Sequence, residues 1–348
     1  MRTITLTFGK DKTAIIKGIA IIFMIILHCG VPSWYDTTIP IFNTYCFITN
    51  YFSIFNLCVG IFTFMIGYGY AFSKKKDWHY SWSHIIKLLI PFWVILICFT
   101  FPIIIIRGEW DTSIVLLNLI GINSKYNWFS WFVCLYIYAM IVLPFVSRFI
   151  DKKPIIGAIG FITLAYVLEI LIHIIPNWAE NDWTQRLFTC FFCSPTIIFG
   201  YLFARKQWFI SIRIVRHWCL LVLSVLFIIF LLILRHNFGS YLGFHLDFIY
   251  APIFIAAVLV IFNLYKMPLI RNVLTELGNT SVYMWFFHAL FFTSTVRCIY
   301  QPLILISNNL LIIIIWTITL TYISSKFIQV TVNEYLFKFI NVSLNTFD

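Results

Sequence analysis

The sequence predicts an all-α, polytopic membrane protein with about ten transmembrane helices. Hydrophobic residues make up 61% of the 348-residue chain and charged residues only 11%, which is too little charge to cover a soluble domain of this length. Long apolar runs recur from residue 14 to residue 325, and each is close to the ~20 residues that a helix needs to cross the hydrocarbon core. The 20% content of aromatic residues also suits a lipid-facing surface with interfacial belts.

The apolar runs divide into ten expected spans. In chain order they are 14–33, 50–72, 85–106, 129–149, 154–175, 186–204, 218–235, 246–265, 281–300 and 303–325. A short interfacial segment, "TSIVLLNLIGI", precedes the fourth span. The longest connection, 107–128, is too short for a soluble domain, so we expect a single membrane domain over residues 1–348 with no separate soluble domain.

The distribution of basic residues orients these spans. A formal net charge of +11 would suggest a nucleic-acid partner in a soluble protein, but here the basic residues fall in alternate connections. With a cytoplasmic N-terminus, 19 of the 24 Lys and Arg residues lie in cytoplasmic segments. The outer segments hold the other five: Arg107, Lys125, Arg186, Arg235 and Arg297. By the positive-inside rule we expect a multi-pass protein of the inner (cytoplasmic) membrane, with both termini cytoplasmic, membrane lipid around it and no nucleic-acid partner.

The nine cysteines do not predict a disulfide framework or a metal site. They are odd in number and scattered through apolar runs. Cys190 and Cys193 form a lone C-x-x-C without candidate partner ligands. We therefore expect them to be small packing residues, because a free thiol behaves as a small hydrophobe, and we expect no bound metal.

The first span, "IIKGIAIIFMIILHCG" (15–30), contains two ionisable residues, Lys17 and His28. Eleven residues at ~100° each amount to three turns plus ~20°, so both side chains lie on one helix face, ~16 Å apart along the axis. Ionisable groups in a membrane helix are costly, at ~2.5–3.5 kcal/mol for a central lysine on insertion scales, and by default they face the bundle interior or a watery cavity. The arrangement suits a pore that takes an anionic ligand from the cytoplasm and carries out acid–base chemistry deeper inside.

Each residue also has a simpler interpretation. Lys17 could extend its amine to the inner interface, as lysines near helix ends do. His28 could be a structural hydrogen bonder between helices. The shared face favours a common role.

The segment "KGIAIIFMIILH" (17–28) resembles the opening signature of the acyltransferase type 3 family of membrane proteins. That signature is a basic residue, a glycine directly after it, and a histidine that is separated from the basic residue by ten mostly apolar residues. Lys17, Gly18 and His28 match it position by position.

Four further segments resemble family motifs in the same order. "FTFMIGYGYAF" (62–72) is similar to the second span, with Ile66 where Ser is usual. "HIIKLLIPFW" (84–93) resembles the start of the next span, with Lys87 where Arg is commoner. "WFSWFVCLYIYAMIVLP" (128–144) resembles the Trp-Phe span, and "LGNTSVYMWFFHALFF" (277–292) resembles a late segment with a histidine, here His288.

The resemblance implies an acyl-CoA-dependent O-acetyltransferase. Such proteins move an acyl group, usually acetyl, from cytoplasmic acetyl-CoA to a hydroxyl of a surface glycan or its lipid-linked sugar precursor. Acetyl-CoA is then a substrate, and no cofactor is bound permanently. His28 would act as general base or carry the acyl group covalently, and these alternatives stay open. Lys17 would belong to the catalytic site and hold the CoA phosphates. Other basic residues of the inner rim that would attract CoA are Lys74, Lys75, Lys76 and Lys87.

Several other polar and aromatic residues are candidates for the acceptor site. Glu169 and His173 are four residues apart in the fifth span, so they share a helix face and could pair. Polar candidates for the lining of the site are Asn56, Ser130 and His288. Three tryptophans could stack on sugar faces or simply anchor the interface: Trp110, Trp128 and Trp131.

The main alternative is a polytopic transporter or flippase for a glycan or lipid intermediate, without covalent chemistry. It accommodates the spans, the basic entrance and the intramembrane histidines, but it does not account for the spacing of Lys17 and His28 with its ordered companion motifs. A third interpretation, the membrane module of a larger protein of the same superfamily, is disfavoured by the lack of a soluble domain.

Overall fold

A computed structural model describes residues 3–35, 51–73, 77–175, 177, 180–209, 213–215, 219–238, 240–241 and 244–338. The longer helices are α1 (Lys10–Cys29), α2 (Leu57–Ala71), α3 (Trp78–Ile95), α6 (Trp131–Lys152), α7 (Pro154–Ile174), α8 (Asp182–Arg205), α9 (Cys219–Phe238), α10 (Asp247–Leu264), α11 (Pro268–Phe292) and α13 (Leu310–Thr331). The shorter ones are α4 (Phe101–Ile106), α5 (Thr112–Leu119) and α12 (Arg297–Tyr300). Single 3₁₀ turns cover Pro32–Trp34, Phe52–Asn56, Trp128–Ser130 and Gln301–Leu303, and π-helical turns cover Leu96–Thr100 and Val332–Phe337.

The predicted fold class is confirmed. Among the described residues, nine helices are long and apolar enough to cross a membrane, and the number is ten if α11 and the segment Arg297–Leu303, which bends away from it by 93°, count as one span. Four strands of two or three residues also occur: β1 (Thr3–Thr5) pairs antiparallel with β2 (Arg213–Val215), and β3 (Ser240–Tyr241) with β4 (Phe244–His245). They are too short to change the all-α class.

The third span is interrupted where its sequence contains a proline. α3 continues through the π-helical turn Leu96–Thr100 into α4, which has Pro102 in its first turn. Proline has no N–H, and its ring clashes with the carbonyl four residues earlier. The wider turn just before Pro102 accommodates that missing hydrogen bond without ending the span.

The described chain forms two compact units that share several helices. The first comprises Met1–Leu27, Asn50–Ile85 and Cys134–Asn279, and the second comprises His28–Thr49, Ile86–Val133 and Thr280–Asp348. That residues 1–348 act as a single domain therefore stays a prediction.

In the first unit, two helix crossings depend on glycine. α1 crosses α11 so closely that a Cβ on Gly18 would collide with the carbonyl oxygen of Leu274, and one on Gly278 with that of Ala14. α2 and α8 approach in the same way at Gly67 and Gly200. Small residues at such crossings let two backbones touch, which is how membrane helices gain packing energy.

The close α1–α11 crossing explains why the ninth span differs from its expected bounds. The sequence predicts a start near residue 281, because "RNVLTELGNTS" is polar. The helix instead begins at Pro268. Its polar first half packs against α1, where Arg271 forms an ion pair with Asp11.

A buried ion pair joins α9 to α10 in the same unit. Arg235, in the last turn of α9, donates from Nε and Nη2 to the two carboxylate oxygens of Asp247 at 2.8 and 3.0 Å. The two side chains are only 6% and 4% exposed. Asp247 stands in the first turn of α10, so each charge also faces the helix end that favours it.

We predict that Arg235→Ala lowers the free energy of unfolding by about 3–5 kcal/mol, because it leaves the Asp247 carboxylate buried without its partner. Thermal unfolding of the detergent-purified protein measures this. The matched control is Arg205→Ala, which removes an exposed pair with Asp151 whose side chains are 45% and 31% exposed; we expect it to cost less than ~1 kcal/mol. Equal losses for the two variants would contradict the prediction.

Candidate active site

Two histidines from distant parts of the sequence meet inside the second unit. His28 lies in the last turn of α1 and His288 in α11. Their Nδ1 and Nε2 atoms are 2.8 Å apart, the ring centroids are 5.0 Å apart and the ring planes differ by 4°. Parallel rings with this spacing lie side by side in nearly one plane, joined by an in-plane hydrogen bond. The side chains are 5% and 0% exposed. The structure therefore brings together a predicted catalytic residue and a predicted acceptor-site residue.

The far side of the His288 ring is also engaged. Its Nδ1 is 3.0 Å from the carbonyl oxygen of Met284, one turn earlier in α11. His28 Nε2, in contrast, has no hydrogen-bond partner within the described part of the chain. The pair thus presents one imidazole nitrogen that can react.

Aromatic rings enclose the histidine pair. Phe129 stacks on both imidazoles, with centroid distances of 4.1 Å to His28 and 4.8 Å to His288 and interplanar angles of 15° and 18°. The rings of Trp34 and Phe292 lie 4.7 and 5.9 Å from that of His28. This enclosure keeps bulk water from the imidazoles and lowers the local dielectric around them.

Two buried side chains hold Phe129 in place. Asn127 caps the 3₁₀ turn by accepting from Phe129 N at 3.2 Å, and its amide donates to the Phe286 carbonyl. The Trp285 indole N–H donates to the Phe129 carbonyl at 3.3 Å. Trp131, a predicted acceptor-site residue, packs against Trp285 with ring centroids 6.1 Å apart, so it supports the enclosure from behind.

Trp34 and Trp128 connect this enclosure to the surface. Their ring centroids are 6.4 Å apart, and Trp128 is 48% exposed. Gln301 fixes Trp34 by donating to its carbonyl oxygen at 2.8 Å. The hydroxyl of Thr293 accepts from Trp128 N at 3.0 Å. A half-exposed tryptophan therefore leads, through Trp34, to the ring of His28.

Lys17 belongs to the first unit but shares the uninterrupted helix α1 with His28. Its side chain is half-buried. Among the described residues it has no carboxylate partner. A half-buried amine without a neutralising acid can hold an anionic ligand.

The other predicted donor-side residues are less defined. Lys87 is exposed on α3. The run Lys74, Lys75 and Lys76 lies outside the described residues.

Glu169 and His173 lie in α7 of the first unit. Glu169 is buried and lines a cavity of about 170 Å³ between α7 and α8, together with Thr184 and Phe188. His173 is exposed, with its ring 6.3 Å from that of Phe188. The proposed pairing of these two residues stays a prediction.

The remaining candidates occupy varied places. Ser130 is buried and donates to the Asn123 carbonyl at 3.1 Å. Trp110 packs edge-on against Phe101, with centroids 5.3 Å apart, and Asn56 is half-buried at the end of its 3₁₀ turn. Cys190 and Cys193 are buried free thiols in α8. The described residues contain no group of three or more side chains that could hold a metal ion.

Phe129, Trp34 and Phe292 belong to the site but were not predicted from the sequence. Phe129 stands in the "WFSWF" segment that resembles a family motif, and Trp34 follows His28 in "VPSWY", so both lie next to residues that were singled out. With 38 Phe and 13 Trp in the chain, an aromatic residue by itself carries little signal.

Comparisons with known proteins agree with this arrangement of motifs. The family model described as "Acyltransferase domain" matches residues 14–328. Neither a comparison with curated proteins nor one with solved structures gave a match. The matched region covers most of the chain and includes both histidines and Lys17. The chain therefore belongs to this acyltransferase family and is a multi-pass membrane acyltransferase.

Proposed function

We propose that the protein is an O-acetyltransferase of the inner membrane. It moves an acetyl group from cytoplasmic acetyl-CoA to a hydroxyl of a cell-surface polysaccharide or its lipid-linked precursor. The observation that carries the proposal is the buried His28–His288 pair, which leaves one imidazole nitrogen of His28 without a partner among the described residues. Membership of the acyltransferase family favours this function over the transport of a glycan or lipid intermediate.

In the chemical step, His28 Nε2 removes the proton of the acceptor hydroxyl while its oxygen attacks the thioester carbonyl. The C–S bond breaks, the CoA thiolate leaves, and the proton passes from the imidazolium to the thiolate. A positioned base of this kind typically contributes ~10²–10⁴-fold. Because the face of Phe129 covers both rings, its π-electrons stabilise the positive charge that forms on His28.

A covalent route would use the same nitrogen. His28 Nε2 would attack the thioester carbonyl, the C–S bond would break and the CoA thiolate would leave, giving an acyl-imidazole. The acceptor hydroxyl would then attack the acyl carbon, the C–N bond would break to free His28, and the hydroxyl proton would pass to the CoA thiolate. Incubating the protein with radiolabelled acetyl-CoA, without acceptor, separates the two routes. Label on the denatured protein that requires His28 identifies the covalent one.

The donor side is proposed to lie toward the cytoplasm. CoA is a polyanion, and Lys17 is a half-buried amine on the same helix as His28. The proposed orientation, with both termini cytoplasmic, rests on the excess of 19 over 5 basic residues in alternate connections. Additional attraction for CoA would come from other basic residues of that side, namely Lys87, Lys74, Lys75 and Lys76.

The acceptor side is proposed to begin at the two tryptophans above His28. A sugar ring has an apolar face of C–H groups that packs against an indole, and a half-exposed indole next to a half-buried one beside His28 provides a path from solvent to the base. Trp128 and Trp34 have this relation. Trp131, Glu169 and His173 stay candidates for the acceptor site.

We predict that His28→Ala and His28→Gln both reduce transfer of label from radiolabelled acetyl-CoA to glycan by about 10²–10⁴-fold. Glutamine keeps a hydrogen-bonding group but has no basic nitrogen. Membrane expression and acetyl-CoA binding should stay close to wild type. The control is His79→Gln, at an exposed histidine in the first turn of α3. Full activity of His28→Gln would mean that His28 is only a packing hydrogen bonder.

For Lys17, we predict that alanine raises the KM for acetyl-CoA about tenfold or more, because one ion pair with a phosphate is lost, whereas Lys17→Arg keeps most of the affinity. Initial rates in membranes at varied acetyl-CoA concentrations measure this. Lys152→Ala removes an exposed lysine and serves as control. An unchanged KM in Lys17→Ala would make Lys17 an interfacial anchor.

Replacing Trp34 or Trp128 with leucine should raise the KM for acceptor several-fold and leave the KM for acetyl-CoA unchanged. Loss of a stacking face weakens acceptor binding without altering the donor side. De-O-acetylated surface polysaccharide from the host cells is the acceptor to use. Trp82→Leu, at a tryptophan that is 63% exposed on α3, is the matched control. If all three variants behaved alike, these tryptophans would only anchor the interface.

A further inference from the structure

The geometry points to His288 as the positioning residue that holds His28 in one tautomer, with the proton on Nδ1 and the lone pair on Nε2. This inference rests on the proposed function, in which His28 is the reacting group, and adds to it the identity of the reacting atom and the residue that selects it. It follows from three hydrogen-bonding groups in series: the Met284 carbonyl, the His288 imidazole and the His28 imidazole.

The outer end of this series is the contact between His288 Nδ1 and the carbonyl oxygen of Met284. A carbonyl oxygen can only accept, so His288 Nδ1, 3.0 Å from the Met284 oxygen, must carry a hydrogen. A neutral imidazole carries a single N–H. His288 Nε2 is therefore an acceptor in the neutral ring.

The position of the proton on His288 in turn fixes its position on His28. Its Nδ1 lies 2.8 Å from His288 Nε2, so it must be the donor of that bond. Neutral His28 then has its lone pair on Nε2. The reverse direction would require both nitrogens of His288 to be protonated, which is a cation in a fully buried site and is costly without a counter-charge.

Within the described part of the chain, neither histidine forms an ion pair with a carboxylate. The neutral arrangement is therefore the consistent one. A carbonyl orients His288, and His288 in turn orients His28 without adding charge to the site.

The hydrogen bond between the two imidazoles becomes stronger when His28 reacts. As Nε2 gains a proton or an acyl group, the ring becomes positive and its Nδ1–H becomes a stronger donor. The bond to His288 Nε2 is then charge-assisted and shortens. Because the two rings are parallel to within 4° and lie side by side with centroids 5.0 Å apart, the acceptor lone pair points at this proton. His288 thus stabilises the reacting state through His28 and does not itself contact the acceptor.

The test uses two replacements of His288. Glutamine places an amide oxygen near the position of His288 Nε2 and can still accept from His28 Nδ1, whereas leucine has no acceptor. We expect His288→Gln to stay within about tenfold of the wild-type rate and His288→Leu to lose roughly 10²–10⁴-fold, the contribution of a correctly positioned base. The KM for acetyl-CoA should not change in either.

A spectroscopic measurement separates positioning from packing. Nitrogen-15 NMR of the full-length protein with labelled histidine, assigned by difference from His28→Gln, reports which nitrogen of His28 carries the proton. We expect Nδ1–H in the wild type and in His288→Gln, and a shift toward Nε2–H in His288→Leu. If the leucine variant does not fold, the wild-type spectrum and the glutamine variant still decide.

Four results would overturn the inference. They are Nε2–H on His28 in the wild type, full activity of His288→Leu, an inactive His288→Gln that is folded and keeps Nδ1–H on His28, and an inactive His288→Leu in which His28 keeps Nδ1–H. Failure of the proposed function looks different, because wild-type membranes would then transfer no label and His28→Gln would match them.

Discussion

The hydrogen bond between His28 and His288 is the interaction on which the arrangement of the candidate site depends. A polar group enclosed by apolar side chains has no water to bond, so it must find its partner within the protein. Each imidazole is the hydrogen-bond partner of the other, and the carbonyl oxygen of Met284, one turn earlier in α11, accepts from His288. The two rings become coplanar, and that flat surface is what allows the single ring of Phe129 to cover both.

Packing elsewhere in the chain follows the same demand for internal partners. In the first unit, two arginines at helix contacts each pair with a carboxylate, Arg235 with Asp247 and Arg271 with Asp11. Glycines act at other helix contacts: because they have no side chain, carbonyl oxygens of one helix can approach the backbone of the next. The polar segment before residue 281 is helical because Arg271 pairs with Asp11 and because Gly278 lets α11 pack closely on α1.

A residue of the site could be predicted from the sequence only where its type is rare among its neighbours. Lys17 and His28 stand out because ionisable residues are rare in apolar runs, and the fold class follows from those runs themselves. The pairing of His28 with His288 could not be predicted, because 260 residues separate them and hydropathy contains no information on which helices touch. Phe129 and Trp34 were not predicted because aromatic residues are common in this chain, which has 38 Phe and 13 Trp, so neither residue stands out among its neighbours. The start of α11 was placed too late because a polar helix that packs on a neighbour looks like a loop when only its own residues are counted.

The glycine crossings have a consequence for how the protein tolerates mutation. Any substitution at Gly18 or Gly278 adds at least one carbon where a neighbouring carbonyl oxygen already stands. A saturation screen that scores only loss of growth or of product would therefore mark these glycines as strongly as His28, although neither touches a histidine of the site. Along α1 and α11, residues that do not tolerate substitution include both packing glycines and the histidines of the site. A screen that also measures protein abundance is needed to distinguish the residues that build the helix pair from those that act on substrate.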